Sequence, residues 1–97
     1  MVIQLEVSPF EDATFNTYLP QISAECKKWV GNELEKYDSF KNDSGNVVIN
    51  IRPSNISITY EGAHAGSRLF VERMNDKFLS DAIWDKILIR ITGPGLN

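Results

Sequence analysis

Between Val2 and Val7 apolar and polar residues alternate. Ile3, Leu5 and Val7 fall on one side and Gln4 and Glu6 on the other, which predicts a half-buried strand. Ser8-Pro9 stops the alternation. Ser8 and Glu11 have capping-box spacing and Pro9 suits a first helical position, so a short helical segment through Tyr18 is expected, weakened by Thr14 and Thr17. Pro20 ends or kinks that segment and also suits the first turn of the next helix. That next helix has the strongest pattern in the chain. Ile22, Cys26, Trp29, Val30, Leu34 and Tyr37 recur at helical spacing, with Glu25, Lys28, Asn32, Glu35 and Lys36 mostly on the other side. Gly31 costs it roughly 1 kcal/mol relative to alanine. Asn42-Asp43-Ser44-Gly45 is a turn cluster that closes the element.

From Gly45 the period becomes two. Val47, Ile49 and Ile51 share one face, and Ile56, Ile58 and Tyr60 share one face of the following run, with Pro53-Ser54-Asn55 between them; residues 46–61 therefore read as an antiparallel hairpin. Glu61 to Gly66 is rich in small residues and reads as a loop or tight bend. Arg68 to Arg73 fits either a third strand or the opening of the last helix. Phe78, Leu79, Ala82, Ile83, Ile87 and Ile91 then form a helical stripe that Asn75 or Asp76 would cap. Ile87, Ile89 and Ile91 also alternate, so residues 86–92 admit a strand. The expectation is an α+β fold: N-terminal strand, long amphipathic helix, antiparallel β-hairpin or three-stranded sheet, C-terminal helix. The alternative, should the last segment be a strand, is a ferredoxin-like βαββαβ order.

Length and composition make this a single domain over residues 1–97, with the 42% hydrophobic and 24% charged content of an ordinary globular protein. A core of this size is modest, so oligomerisation or docking is a natural source of added stability. Net charge is −3, and the basic residues are scattered with no run beyond Lys27–Lys28. No specific nucleic-acid partner is expected from that distribution, and the scattered carboxylates do not suit a DNA mimic either. The start MVIQLEV has neither a basic n-region nor a cleavage site, and no apolar run approaches membrane-spanning length; a soluble chain, cytosolic at synthesis, with no membrane partner is expected.

Chemistry-bearing residues are sparse. Cys26 is the single cysteine, so neither an intrachain disulfide nor a cysteine metal cluster can form. Cys26 and His64 could be drawn as a thiolate–imidazole pair, but Cys26 lies on an apolar helical stripe, where cysteine usually serves as a small buried hydrophobe. Asp81 and Asp85 form one i, i+4 pair on a solvated face, and with one histidine in the chain no metal site is expected. Gly62 to Arg68 has the glycines, serine and arginine of a generic anion nest without the spacing or lysine of a phosphate-binding loop. No catalytic residue and no cofactor is expected. Trp29, Trp84, Tyr18, Tyr37, Tyr60 and Phe70 are many large rings for a small chain; most belong in a core, and any left exposed would suit a protein interface.

One set of residues points further. Lys28-Trp29-Val30-Gly31-Asn32-Glu33-Leu34, the aromatic exit Tyr37-Asp38-Ser39-Phe40, the turn Ser44-Gly45-Asn46-Val47, Ile58-Thr59-Tyr60 with Ala63-His64-Ala65 and Arg68-Leu69-Phe70, and the stretch Ser80 to Lys86 occur in that order. Together, over about two thirds of the chain, they resemble the minor capsid and tail-completion (head–tail joining) proteins of tailed bacteriophages. Members have an N-terminal strand, a Trp- or Phe-centred helix ending in Asn-Glu-Val/Leu, an aromatic–Pro–aromatic exit, a Thr-Gly turn, a β-hairpin and a late Trp-bearing helix. This chain departs at Ser39, where the family prefers proline, at Ser44 for threonine, at His64 for tyrosine and at Glu72 for glycine. The resemblance implies a virion structural protein of the head–tail connector type, assembled in the host cytoplasm. It would act through portal, connector or tail proteins and through its own copies as a homo-oligomer. Tyr60, His64, Arg68 and Phe70 would be its interface residues. The alternative is a small acidic inhibitor or immunity-type protein that masks a single protein target.

Overall fold

The computed structural model describes residues 2–8, 10–37, 40, 43–62 and 64–93. In chain order they form β1 (Val2–Val7), α1 (Ala13–Glu35), β2 (Asn46–Ile51), β3 (Ile56–Glu61), α2 (Ala65–Ser80) and α3 (Ile83–Thr92). The sheet has the order β1-β2-β3. β2 and β3 are the expected antiparallel hairpin, with Val48 opposite Thr59. β1 joins the other side of β2 in parallel, Val2 opposite Asn46 and Val7 opposite Ile51, so β1-α1-β2 is a crossover unit. The fold is the α+β arrangement with a three-stranded sheet. Residues 86–92 lie in α3, and β1 pairs directly with β2, so the ferredoxin-like alternative does not hold.

The helices cover one face of the sheet. Val47, Ile49, Ile51, Ile56 and Ile58 join Phe15, Ile22, Cys26, Val30 and Leu34 of α1, Val71, Met74 and Phe78 of α2, and Trp84 and Ile87 of α3 in one core. The stripe read on α1 is thus the buried one, except that Trp29 is half-buried and Tyr37 lies past the helix end and is 43% exposed. Gly31 stands over β1: a Cβ there would touch Ile3 Cδ1 at 3.7 Å, ordinary contact distance, so no close approach requires this glycine. Val48 is buried although it points to the helix-free face, between Gln4 and Thr59 in the register.

Three boundaries differ from expectation. α1 starts at Ala13, where Asp12 Oδ1 accepts the N–H groups of Thr14 (2.9 Å) and Phe15 (3.2 Å); Ser8 lies outside it, and Pro9 is outside the described residues. Pro20 neither ends nor starts a helix but sits inside this one. An interior proline costs about 3 kcal/mol, and burial of Phe15 and Ile22 on either side offsets it. Finally, the late stripe belongs to two helices. Arg68 to Arg73 opens α2, and Asn75 and Asp76 lie within it rather than capping its successor. α2 ends at Asp81, and Ala82, at φ 53°, turns the chain into α3. The turn leaves Leu79 45% exposed while Trp84 and Ile87 are buried.

Candidate functional site

A polar node lies where α2 begins, beside the turn before β2, and an aromatic groove lies further along α2 against the end of α1. The node centres on Asp43. Its Oδ1 accepts the Tyr60 hydroxyl at 2.6 Å and the Gly45 N–H at 2.8 Å, and its Oδ2 accepts the Ser67 hydroxyl at 2.5 Å. These donors hold its carboxyl well below the usual range, at about 2; the Ser67 hydroxyl contributes most, then that of Tyr60 and the Gly45 N–H. The same bond to Asp43 raises the Tyr60 phenol above its ordinary value. Ser67 is buried, and His64 beside it is the N-cap of α2, its Nδ1 accepting the Ser67 N–H at 3.1 Å. That bond requires the proton on Nε2.

Two glycines shape this node. A Cβ added at Gly45 or at Gly62 would overlap the Tyr60 hydroxyl and ring, so the hydroxyl end of the ring fits between them only because neither carries a side chain. Gly45 is buried, and the turn at residues 43–45 thereby fastens to β3 and α2 at once.

Ser67, His64 and Asp43 invite comparison with a hydrolytic triad, but their connectivity differs. In a triad the imidazole takes the serine proton while the carboxylate orients the other ring nitrogen. Here the serine hydroxyl donates to the carboxylate, and Nδ1 is engaged by a backbone N–H, 3.2 Å from Ser67 Oγ. The arrangement ties a turn, a strand and a helix terminus together. Cys26 is fully buried in the core while His64 is exposed at the start of α2, so the pair drawn from the sequence is not assembled. Burial pushes the thiol up to about 12, with the Glu25 charge adding to the shift. Among the described residues no three metal-ligating side chains cluster.

The groove has a different character. Glu33, Tyr37, Phe70, Arg73, Met74 and Lys77 line a volume of about 360 Å³ between the end of α1 and α2. Phe70 stacks edge-on to Tyr37 (centroids 4.1 Å apart) and to Phe40 (5.1 Å). Phe40 is buried, Phe70 half-buried and Tyr37 exposed, so the trio passes from core to surface. Glu33 holds Lys36 at 2.8 Å and lies 3.9 Å from Lys77, which places charge around the rings.

The four residues named from the sequence therefore divide. Tyr60 and His64 meet at the node, Phe70 belongs to the groove, and Arg68 is exposed on the first turn of α2. No local spacing marks Asp43 or Ser67, since Asp43 meets Tyr60 17 positions away and Ser67 24 positions away. Comparison with protein-family models, curated proteins and solved structures gives no match for this chain.

Proposed function

We propose that the protein is a virion structural component of the minor capsid, head–tail connector or tail-completion type, acting by protein–protein assembly. The observation that carries the reading is the ordered set of residues resembling that family, whose members here serve packing rather than chemistry. Trp29 packs edge-on to Phe78 at 5.0 Å, Gly45 makes room for the Tyr60 ring, and Phe40 and Phe70 join the helix exit to α2. A signature made of such positions describes a shape to be kept. The groove of Tyr37, Phe70 and Met74, rimmed by Arg73 and Lys77, offers that shape an apolar docking surface with charged edges.

The test is mass spectrometry of purified virions from the phage or prophage that encodes the chain. The expected result is the protein present in few copies per particle, and lost together with tail attachment on Tyr37→Ala/Phe70→Ala substitution. Virions complete without it would refute the proposal. Capture of one non-virion protein at fixed stoichiometry, with loss of that protein's activity, would favour the inhibitor reading.

A further inference from the structure

The sheet has two edges, and they are treated differently. On β3 the outward N–H of Ile58 donates to Asn75 Oδ1 at 2.8 Å, and α2 packs along the strand. β1 forms the opposite edge. Val2 N–H donates to Gly45 O at 3.3 Å across the ladder to β2. Alternation then turns the main-chain groups of Gln4 and Glu6 the same way and those of Ile3, Leu5 and Val7 outwards. Among the described residues no hydrogen bond reaches those outward groups. From Val2 to Val7 the strand carries no lysine, proline or bulge, and of the usual protections of an open edge only the single charge of Glu6. It does carry two exposed apolar side chains, Val2 and Leu5.

We infer that β1 pairs with β1 of a second copy, antiparallel about a two-fold axis through Leu5, making one continuous sheet from two. The occupant follows from the other edge. With Ile58 engaged by Asn75 and α2 packed along β3, that edge is the less open of the two, so edge pairing between copies is β1 to β1, an isologous contact that closes at two. The register is self-complementary as well. Centred on Leu5, all three outward residues find partners: Leu5 meets Leu5, and Ile3 meets Val7. On the helix-free face Gln4 falls opposite Glu6 of the second copy, amide beside carboxylate. Shifting the pairing towards the strand's end sets Glu6 against Glu6, two like charges directly opposite each other. This contact stands apart from the groove at α2 and does not depend on the assembly role proposed above.

Sedimentation equilibrium and amide exchange test it on the full chain. The expected mass is twice that of one chain, falling to one for Leu5→Lys, which sets two ammonium groups face to face at the axis. Leu5→Cys is expected to cross-link on oxidation, since facing residues of an antiparallel pair lie about 5.5 Å apart at Cα, while Thr59→Cys on β3 stays uncoupled. The amides of Ile3, Leu5 and Val7 should exchange about tenfold more slowly in concentrated than in dilute wild-type protein, a reading that holds even if Leu5→Lys fails to fold. A single-chain mass at millimolar concentration overturns the inference. So does a dimer whose Ile3, Leu5 and Val7 amides exchange at the same rate at both concentrations.

Discussion

Replacing Gly45 by alanine is the sharpest probe of the node. A Cβ at this buried position falls inside the contact radius of the Tyr60 hydroxyl and two ring carbons. The neighbour that must yield is no free side-chain tip. Its hydroxyl is bound to Asp43, and a second glycine, Gly62, closes the other side of the ring. Overpacking of this kind costs about 1–3 kcal/mol. For a domain of this length that is a drop in Tm of roughly 4–8 °C per kcal/mol. Urea unfolding followed by the fluorescence of buried Trp84 and half-buried Trp29 measures it. The decisive arm is a double-mutant cycle. Tyr60→Ala removes the ring that the new methyl would strike, so adding Gly45→Ala to it is expected to cost about 1 kcal/mol less than in the wild type. A Gly45→Ala cost below about 0.5 kcal/mol, or strict additivity with Tyr60→Ala, would refute the geometry.

Two further outcomes follow from the titrating groups. Asp43 has a folded value near 2 against an ordinary 3.8, so its bonds contribute stability that is fully present above pH 4 and lost as pH falls towards 2. Tyr60, raised above its ordinary 10.0, contributes stability present below pH 10 and lost as pH rises past it. The stability difference between wild type and Asp43→Asn in denaturant titrations should therefore be greatest between those limits and shrink outside them; a gap unchanged at pH 2 would contradict the assignment. Cys26, fully buried with its thiol near 12, is expected to resist a disulfide reagent at pH 8 until urea unfolds the chain. Rapid labelling of the folded protein would show that α1 opens locally at that position.

Much of this fold is legible in local patterns, and what is not has physical causes. The alternation of Val47, Ile49 and Ile51 against Ile56, Ile58 and Tyr60 marks the hairpin because each strand buries one face. Pro20 misleads because a proline signal reports local cost, while the helix is held by Phe15 and Ile22 on either side. The break at Ala82 carries no marker at all: no glycine or proline stands there, and the stripe reads straight across two helices. The parallel pairing of β1 with β2 also leaves no local trace. At the node, Gly45 and Gly62 resemble ordinary turn residues until Tyr60 is seen between them, and the role of Asp43 depends on donors contributed by β3 and α2.

The way β1 enters the sheet bears on the order in which the chain assembles. β2 and β3 are joined by four residues and can pair as soon as both exist, whereas Val2 meets Asn46 only after the whole of α1 has been traversed. The entropy of closing that long loop is lost before any β1 hydrogen bond is gained. The β1 residues are thus expected to be among the last secured, and until they arrive β2 shows an unpaired flank of its own. A chain interrupted at that stage is open to strand exchange with a neighbour. Docking of β1 across α1 is therefore expected to set when the exposed flank passes from β2 to β1.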